Sequence, residues 1–369
     1  MFLEKLDLLN FKNYAQASAQ FSPHINSFTG LNGSGKTNIL DAIHYISLTK
    51  SAFNSLDAQN IQHDRPYFSI KGNVHVNDNV HEVQCSLKRG EKKAFKVDGA
   101  DYDRLSHHLG RFPSVLIAPN DDDLIRDSNE VRRKYFDSII SQTSKDYVQK
   151  LIQYNHYLKQ RNSLLKSFGD SGKVDKELLA PYDHKILGEG KYLASKRAEF
   201  IKVFVADFEN HYDYVSDEKE KVHIEYASRA LSDDFEQEYH RSLPKDLALQ
   251  RSNVGIHRDE YIFTIEGNAL KKFGSQGQQK SFLISLKLAQ FDYIKRNTGI
   301  TPFLLLDDIF DKLDDNRIKM LTQMIASNRF KQIFLTDARP ERTKSLLSDM
   351  KDVVKIFRIE NNQILEADL

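Results

Sequence analysis

Gly30-Leu31-Asn32-Gly33-Ser34-Gly35-Lys36-Thr37 has the spacing of a phosphate-cradling P-loop, G-x-x-x-x-G-K-[ST]. Such a match needs a strand before it and a helix after it, and both are readable. Ile25-Asn26-Ser27-Phe28-Thr29 reads as a short strand, and Ile39, Ala42, Ile43 and Ile46 recur at helical spacing after Lys36. Glycines let backbone N–H groups approach phosphate oxygens, and the helix N-terminus adds partial positive charge there. The expected nucleotide-binding set is Gly30, Leu31, Asn32, Gly33, Ser34, Gly35, Lys36, Thr37 and Asn38. Lys36 is expected on the β- and γ-phosphates of a nucleoside triphosphate, and the Thr37 hydroxyl on Mg²⁺.

A second element completes such a site. Thr301-Pro302-Phe303-Leu304-Leu305-Leu306 is a continuous apolar run, as in a strand buried on both faces of a parallel sheet, and it ends in Asp307-Asp308. In open α/β sheets, ligands bind beyond the carboxyl ends of the strands. Asp307 is expected to hold Mg²⁺, directly or through its second shell. Asp308 is expected to accept a proton from, or orient, the water that attacks the γ-phosphate. Lys36 and Asp308 are therefore the catalytic candidates. Gln332-Ile333-Phe334-Leu335-Thr336 and Val353 to Ile359 read as further strands. The sequence Phe273-Gly274-Ser275-Gln276-Gly277-Gln278-Gln279-Lys280 opens a strongly apolar helix. Its residues alone allow either an ordinary helix N-terminus or a phosphate site.

The first hundred residues read as mixed α/β, with a predicted antiparallel meander over 68–97. From about Ser128 to Ala206 glycines become rare and apolar residues fall at helical spacing, which predicts a helical arm. The arm is expected to turn at Phe168-Gly169-Asp170-Ser171-Gly172. The α/β pattern returns near Asn253, so the nucleotide domain is expected to come from both chain ends. The predicted division is 1–110 for the first lobe, 111–252 for the arm and second lobe, and 253–369 for the remainder of the head.

The chain has 369 residues, with 53 Lys plus Arg against 52 Asp plus Glu, so any nucleic-acid site must be a local patch. Two candidate patches are Lys88, Arg89, Lys92, Lys93 and Lys96, and Arg132, Arg133 and Lys134. The single cysteine, Cys85, excludes an internal disulfide and a multi-cysteine zinc site. Without a signal-peptide pattern or a membrane-length apolar run, a cytoplasmic location and no membrane partner are expected.

Together, Gly30-x-Asn32-Gly33-x-Gly35-Lys36-Thr37-Asn38, Ser275-Gln276-Gly277-Gln278-Gln279-Lys280 and Leu304-Leu305-Leu306-Asp307-Asp308 resemble the ABC-type ATPases of the SMC class. In detail the chain is similar to the RecF family of recombination mediators. Leu6 to Tyr14, Ala118 to Leu124, Arg132 to Asp137 and Gly255 to Glu260 share that resemblance, which runs to about Thr336. The implied fold is α/β: an ABC-type P-loop ATPase head built from both chain ends, with an inserted short helical arm. The resemblance implies that Ser275, Gln276, Gly277 and Gln278 form a signature acting in trans. Ser275 and Gly277 would meet ATP held by a second copy, so ATP closes a homodimer. It further implies that Asp314 lies in the D-loop and that Thr336 is the γ-phosphate sensor, with Asp337 turned away. Asp308 stands where most SMC-class proteins have Glu, which implies slow hydrolysis, and the resemblance as a whole implies a weak DNA-stimulated ATPase.

The partners implied are DNA, gapped or at single/double-strand junctions, and RecR- and RecO-type mediators that help load RecA. Two other readings fit the same residues. One is an ATP-gated DNA clamp with incidental hydrolysis, and the other is an SMC-like ATPase of another pathway.

Overall fold

The computed structural model describes residues 1–216, 220–310, 315–327 and 329–367. Alternation in the N-terminal strand Phe2–Phe11 buries Leu6 and Leu8 on one face. This strand enters a six-stranded antiparallel sheet in the order Tyr14–Gln20, Phe2–Phe11, Tyr67–Val76, Asn79–Lys88, Ala94–Val97 and Ala100–Asp101. The last four form the expected meander.

A second six-stranded sheet has the order Gln363–Ala367, Val354–Glu360, Ile25–Thr29, Ile333–Asp337, Phe303–Leu306 and Ser114–Ile117. Its pairings are parallel except for the C-terminal hairpin. Every residue of Ile25–Thr29, Phe303–Leu306 and Ile333–Asp337 is buried, which is the physical origin of the unbroken apolar run in Phe303–Leu306. Helix Lys36–Leu48 touches strands of both sheets and buries Ile39, Ile43, Tyr45 and Ile46 completely. The Gln332 side chain ties the layers together. Its Oε1 accepts the Leu3 N–H at 2.7 Å, and its Nε2 donates to the carbonyls of Leu3 and Ser22, each at 2.8 Å.

These sheets and the helix belong to a unit composed of Met1–Asp121 and Leu283–Leu369; Asp122–Phe282 forms the other. The divisions thus fall at 121/122 and 282/283 rather than at 110/111 and 252/253. Strand pairing explains the shift at the second boundary. Glu260–Ile265 runs antiparallel to Val222–Ala227, with Tyr261 opposite Tyr226, so residues after 252 are hydrogen-bonded into the arm-containing unit. That long-range register has no local sequence signal.

In the second unit the arm comprises helices Asn129–Thr143, Lys145–Ser171 and Ala180–Ser216, the latter two packed together. Ser144 caps the middle helix by accepting the Tyr147 N–H at 3.2 Å. The expected break comes slightly later than Phe168-Gly169, because the helix continues to Ser171. It stops at Gly172, whose φ of 69° is left-handed and whose N–H donates to Phe168 O at 2.9 Å. Two buried arginines organise the interior. Arg161 pairs with Asp183 at 2.6 Å and Asp246 at 2.7 Å, and Arg197 pairs with Asp137 at 2.8 Å and Asp259 at 2.7 Å. Among the described residues, no helix is long and apolar enough to cross a membrane.

Candidate functional site

The phosphate-type loop leaves strand Ile25–Thr29 and enters helix Lys36–Leu48 through two glycines that no other residue replaces without strain. Gly30 has φ 152°, and a Cβ there would lie 2.6 Å from Ile359 O. Gly35 has φ 112°, and its Cβ would lie 2.4 Å from Asn13 Nδ2. The same neighbours brace the loop. Asn13 Nδ2 donates to Ser34 O at 3.1 Å, Tyr14 OH donates to Gly35 O at 3.1 Å, and Asn38 Nδ2 donates to Asn13 Oδ1 at 2.7 Å. Asn13 and Tyr14 were not expected in the site set. Their only sequence signal was membership in the Leu6–Tyr14 stretch.

Lys36 Nζ folds over the loop, donating to Gly30 O at 2.7 Å and Leu31 O at 3.0 Å. Leu31, Asn32 and Gly33 are exposed, whereas Gly35 and Lys36 are buried. The loop's outer rim therefore faces solvent over a rigid base.

Parallel pairing places the carboxyl end of Phe303–Leu306 beside this base. The Thr37 hydroxyl donates to both Asp307 oxygens, at 2.9 and 3.0 Å. Thr336 Oγ1 donates to Asp307 Oδ1 at 2.8 Å and accepts the Asp308 N–H at 2.9 Å. Asp308 adopts φ 44°, a left-handed conformation uncommon for a non-glycine residue. Burial pushes the Asp307 carboxyl up, against the lowering effect of the Thr336 and Thr37 hydroxyls.

Thr336, the expected sensor, thus has its hydroxyl proton committed to Asp307. Asp337 is fully buried and turned to the following helix, Pro340–Leu347. It accepts from the Arg339 N–H at 2.9 Å, Thr343 Oγ1 at 3.0 Å, and Arg342 Nε and Nη2 at 2.9 and 2.6 Å. Its charge is neutralised there, so it presents no bare carboxylate to a phosphate. Arg342 is another residue the motif reading missed. Asp314 lies outside the described residues.

The donor set fits Mg²⁺ held partly by a nucleotide. Thr37 and Asp307 provide a hydroxyl and one carboxylate, and Mg²⁺ commonly takes one or two carboxylates together with phosphate oxygens and water. Among the described residues, no cluster of three or more His, Cys, Asp or Glu offers an all-protein cage.

The second motif lies in the other unit. Ser275 and Gln278 form a reciprocal capping box ahead of helix Gln276–Thr298. Ser275 Oγ accepts the Gln278 N–H at 3.2 Å, and Gln278 Oε1 accepts the Ser275 N–H at 2.7 Å. Gln278 also donates to Glu220 at 2.8 Å, so its amide is used within the chain. Ser275 and Gln276 are exposed, and the first-turn N–H groups of Gln276 and Gly277 lie where a helix offers orphan donors.

In the candidate basic patches Lys93, Arg132 and Arg133 are tied into the fold, whereas Lys88, Lys96 and Lys134 make solvent-accessible ion pairs. Lys93 donates to Thr49 O and pairs with Asp57 at 2.7 Å; Lys88 pairs with Glu91 at 2.6 Å and Lys96 with Asp101 at 3.2 Å. Arg132 donates to the carbonyls of Leu124, Ile125 and Tyr261, Arg133 to that of Asp259, and Lys134 pairs with Glu130. Arg89 and Lys92 remain exposed and form no ion pair among the described residues. His257 is satisfied by Tyr154 OH at 2.8 Å and Ser252 O at 3.0 Å, and burial pushes its pKa down to about 4. With Asp259 bound to Arg197 and Tyr226, the His257-Arg258-Asp259 stretch is mainly architectural.

Comparison with known proteins extends these observations. The family model described as RecF/RecN/SMC N terminal domain matches residues 2–364, beyond the Thr336 limit read from motifs. The DNA replication and repair protein RecF of Cytophaga hutchinsonii is 45% identical over 367 residues, covering 100% of this chain and 97% of that protein. The RecF of Flavobacterium johnsoniae is 43% identical over 359 residues, covering 97% and 100%. A solved structure of the recombination mediator protein RecF-ATP in the RecFOR pathway superposes with TM-score 0.89 at 28% identity, covering 99% of this chain and 97% of that one. An Smc head bound to the C-winged helix domain of ScpA shares the fold, with TM-score 0.58 at 15% identity.

Proposed function

Because the chain belongs to the RecF family of RecF/SMC-type ATP-binding ATPases, we propose that it is an ATP-dependent, DNA-binding recombination mediator in DNA replication and repair. In this reading ATP binding joins two copies, and the dimer engages gapped duplex or single/double-strand junctions. It then works with RecO- and RecR-type mediators to load RecA. The observation that carries the reading is the continuous path Thr37, Asp307, Thr336 and Asp308 N–H beneath the glycine loop. It links the phosphate cradle to Asp308, the carboxylate to which this reading gives the attacking water.

Each residue then has a stated task. The N–H groups of residues 31–37 and the Lys36 ammonium bind the triphosphate. Thr37 and Asp307 hold Mg²⁺, which supplies charge neutralisation at the phosphates when bound. Asp308 orients water or takes its proton. Thr336 acts on the γ-phosphate through Asp307 and Asp308, whose positions it fixes. Ser275 and Gly277 of a second copy complete the site, their exposed helix N-terminus being suited to an anion.

The short Asp308 side chain favours a slow ATPase, and with it a second reading in which ATP binding alone makes the DNA clamp. Particle mass with ATP, with ADP, and with or without gapped duplex tests the proposal. An ATP-specific dimer that gapped DNA stabilises is expected; a monomer under all conditions overturns it.

A further inference from the structure

Among the described residues, the two most exposed large apolar residues lie in or beside the two candidate nucleotide motifs. Leu31, in the glycine loop, is 82% exposed, and Phe273, two positions before Ser275, is 67% exposed. A triphosphate presents only oxygen to its cradle and leaves a leucine uncovered. We infer that Leu31 of one copy and Phe273 of a second copy pack against each other when ATP closes the dimer. The inference rests on the proposed trans arrangement and deepens it by naming an apolar contact that accompanies the polar one.

Chain reach supports the pairing. Lys36 Nζ lies 3.0 Å from Leu31 O, so the Leu31 backbone adjoins the ammonium that reaches the γ-phosphate. A partner Ser275 on that phosphate brings Phe273 with it, because two residues span at most about 7 Å. An aromatic side chain extends far enough to cover an adjacent leucine. Phe273 ends the short helix Leu270–Phe273, and Ser275 is pinned by its capping bonds with Gln278, so the spacing between ring and signature is held on both sides. Burial of both side chains on association favours the closed dimer by the hydrophobic effect, which phosphate contacts do not supply.

Cysteine pairing tests the contact directly. The sole native cysteine, Cys85, is buried and its thiol is pushed up to about 12, which keeps it out of the reaction. Full-length Leu31→Cys and Phe273→Cys variants are mixed with a mild copper-phenanthroline oxidant. The expected result is a mixed disulfide dimer formed with ATP and absent with ADP, while neither variant alone cross-links efficiently. A second measurement uses Phe273→Ala and Phe273→Leu. Alanine should raise the ATP-dependent dimer dissociation constant about tenfold or more, and leucine should largely restore it. An ATP-dependent dimer of the native chain without the mixed disulfide, and with Phe273→Ala unaffected, overturns the contact and leaves the dimer reading standing. Absence of any ATP-dependent dimer overturns both. Loss of DNA binding by Phe273→Ala with dimerisation intact overturns the contact and assigns the ring to DNA.

Discussion

Thr37 donates its hydroxyl to both oxygens of Asp307, at 2.9 and 3.0 Å, across 270 positions of sequence. The bond spans the two strands of a parallel sheet that carry the nucleotide loop and the acidic pair, with Ile333–Asp337 between them. Because Thr336 from that intervening strand also binds Asp307 and the Asp308 N–H, a change at any one of these four groups shifts the others.

Lys36→Ala should abolish ATP-dependent dimerisation, since the ammonium is the charge that anchors the terminal phosphates. Sedimentation velocity in saturating ATP reads the outcome. A dimer of unchanged strength would remove the P-loop assignment.

Ser275→Arg should block the ATP-dependent dimer while the monomer binds ATP within about twofold of the native affinity, because the proposed contact is in trans. The lost helix cap should also cost about 1 kcal/mol, visible as a small drop in melting temperature. A large fall in monomer affinity for ATP would show that the signature acts in cis.

Asp308→Asn should retain ATP binding and the dimer but lower hydrolysis by about 10²-fold or more. Phosphate release and DNA residence time separate the two functional readings. Under the ATPase reading the variant stays trapped on DNA and fails to support repair, whereas under the clamp reading RecA loading persists.

Asp337→Asn should destabilise the unit built from both chain ends by about 3 kcal/mol, because it leaves the partly buried Arg342 without its paired charge. Denaturant unfolding measures this. ATP binding by the folded variant should be retained; a selective loss of ATP binding without loss of stability would place Asp337 at the nucleotide.

Acid should weaken the same unit through His44 and His108, both pushed down to about 4 by burial. The unfolded chain takes up these protons near pH 6.5 and the folded chain only near 4, so stability falls as pH drops between those values and levels off below. From pH 7.5 to 5.5 the two sites together should cost roughly 2–3 kcal/mol. His108→Gln, whose carboxamide can still donate to Ile46 O, should flatten this slope in urea titrations.

Some elements were readable locally and others were not. The glycine loop, the strand before it and helix Lys36–Leu48 occupy consecutive residues, so their periodicity and special backbone conformations are written in one short stretch. The buried strand Phe303–Leu306 announces itself by composition, because a parallel strand covered on both faces has no polar side to show. The arm's helices were visible for the same kind of reason, but the unit boundary at 282/283 was not, since it follows from pairing between Val222–Ala227 and Glu260–Ile265.

The amino-acid sequence alone determined the nucleotide loop, the acidic pair at a strand end and the family resemblance, because each is a pattern of residue types at fixed short spacing. Only the tertiary structure decided which charges are free. Lys93 and Arg132 looked available for phosphate and are spent inside the fold, Asp337 is held by Arg342 and the following helix, and Asn13 brackets the loop from the turn between the first two strands. A side chain's available charge depends on the donors and acceptors that sheet register and helix packing bring to it. Those partners stand up to hundreds of positions away, where local spacing carries no record of them.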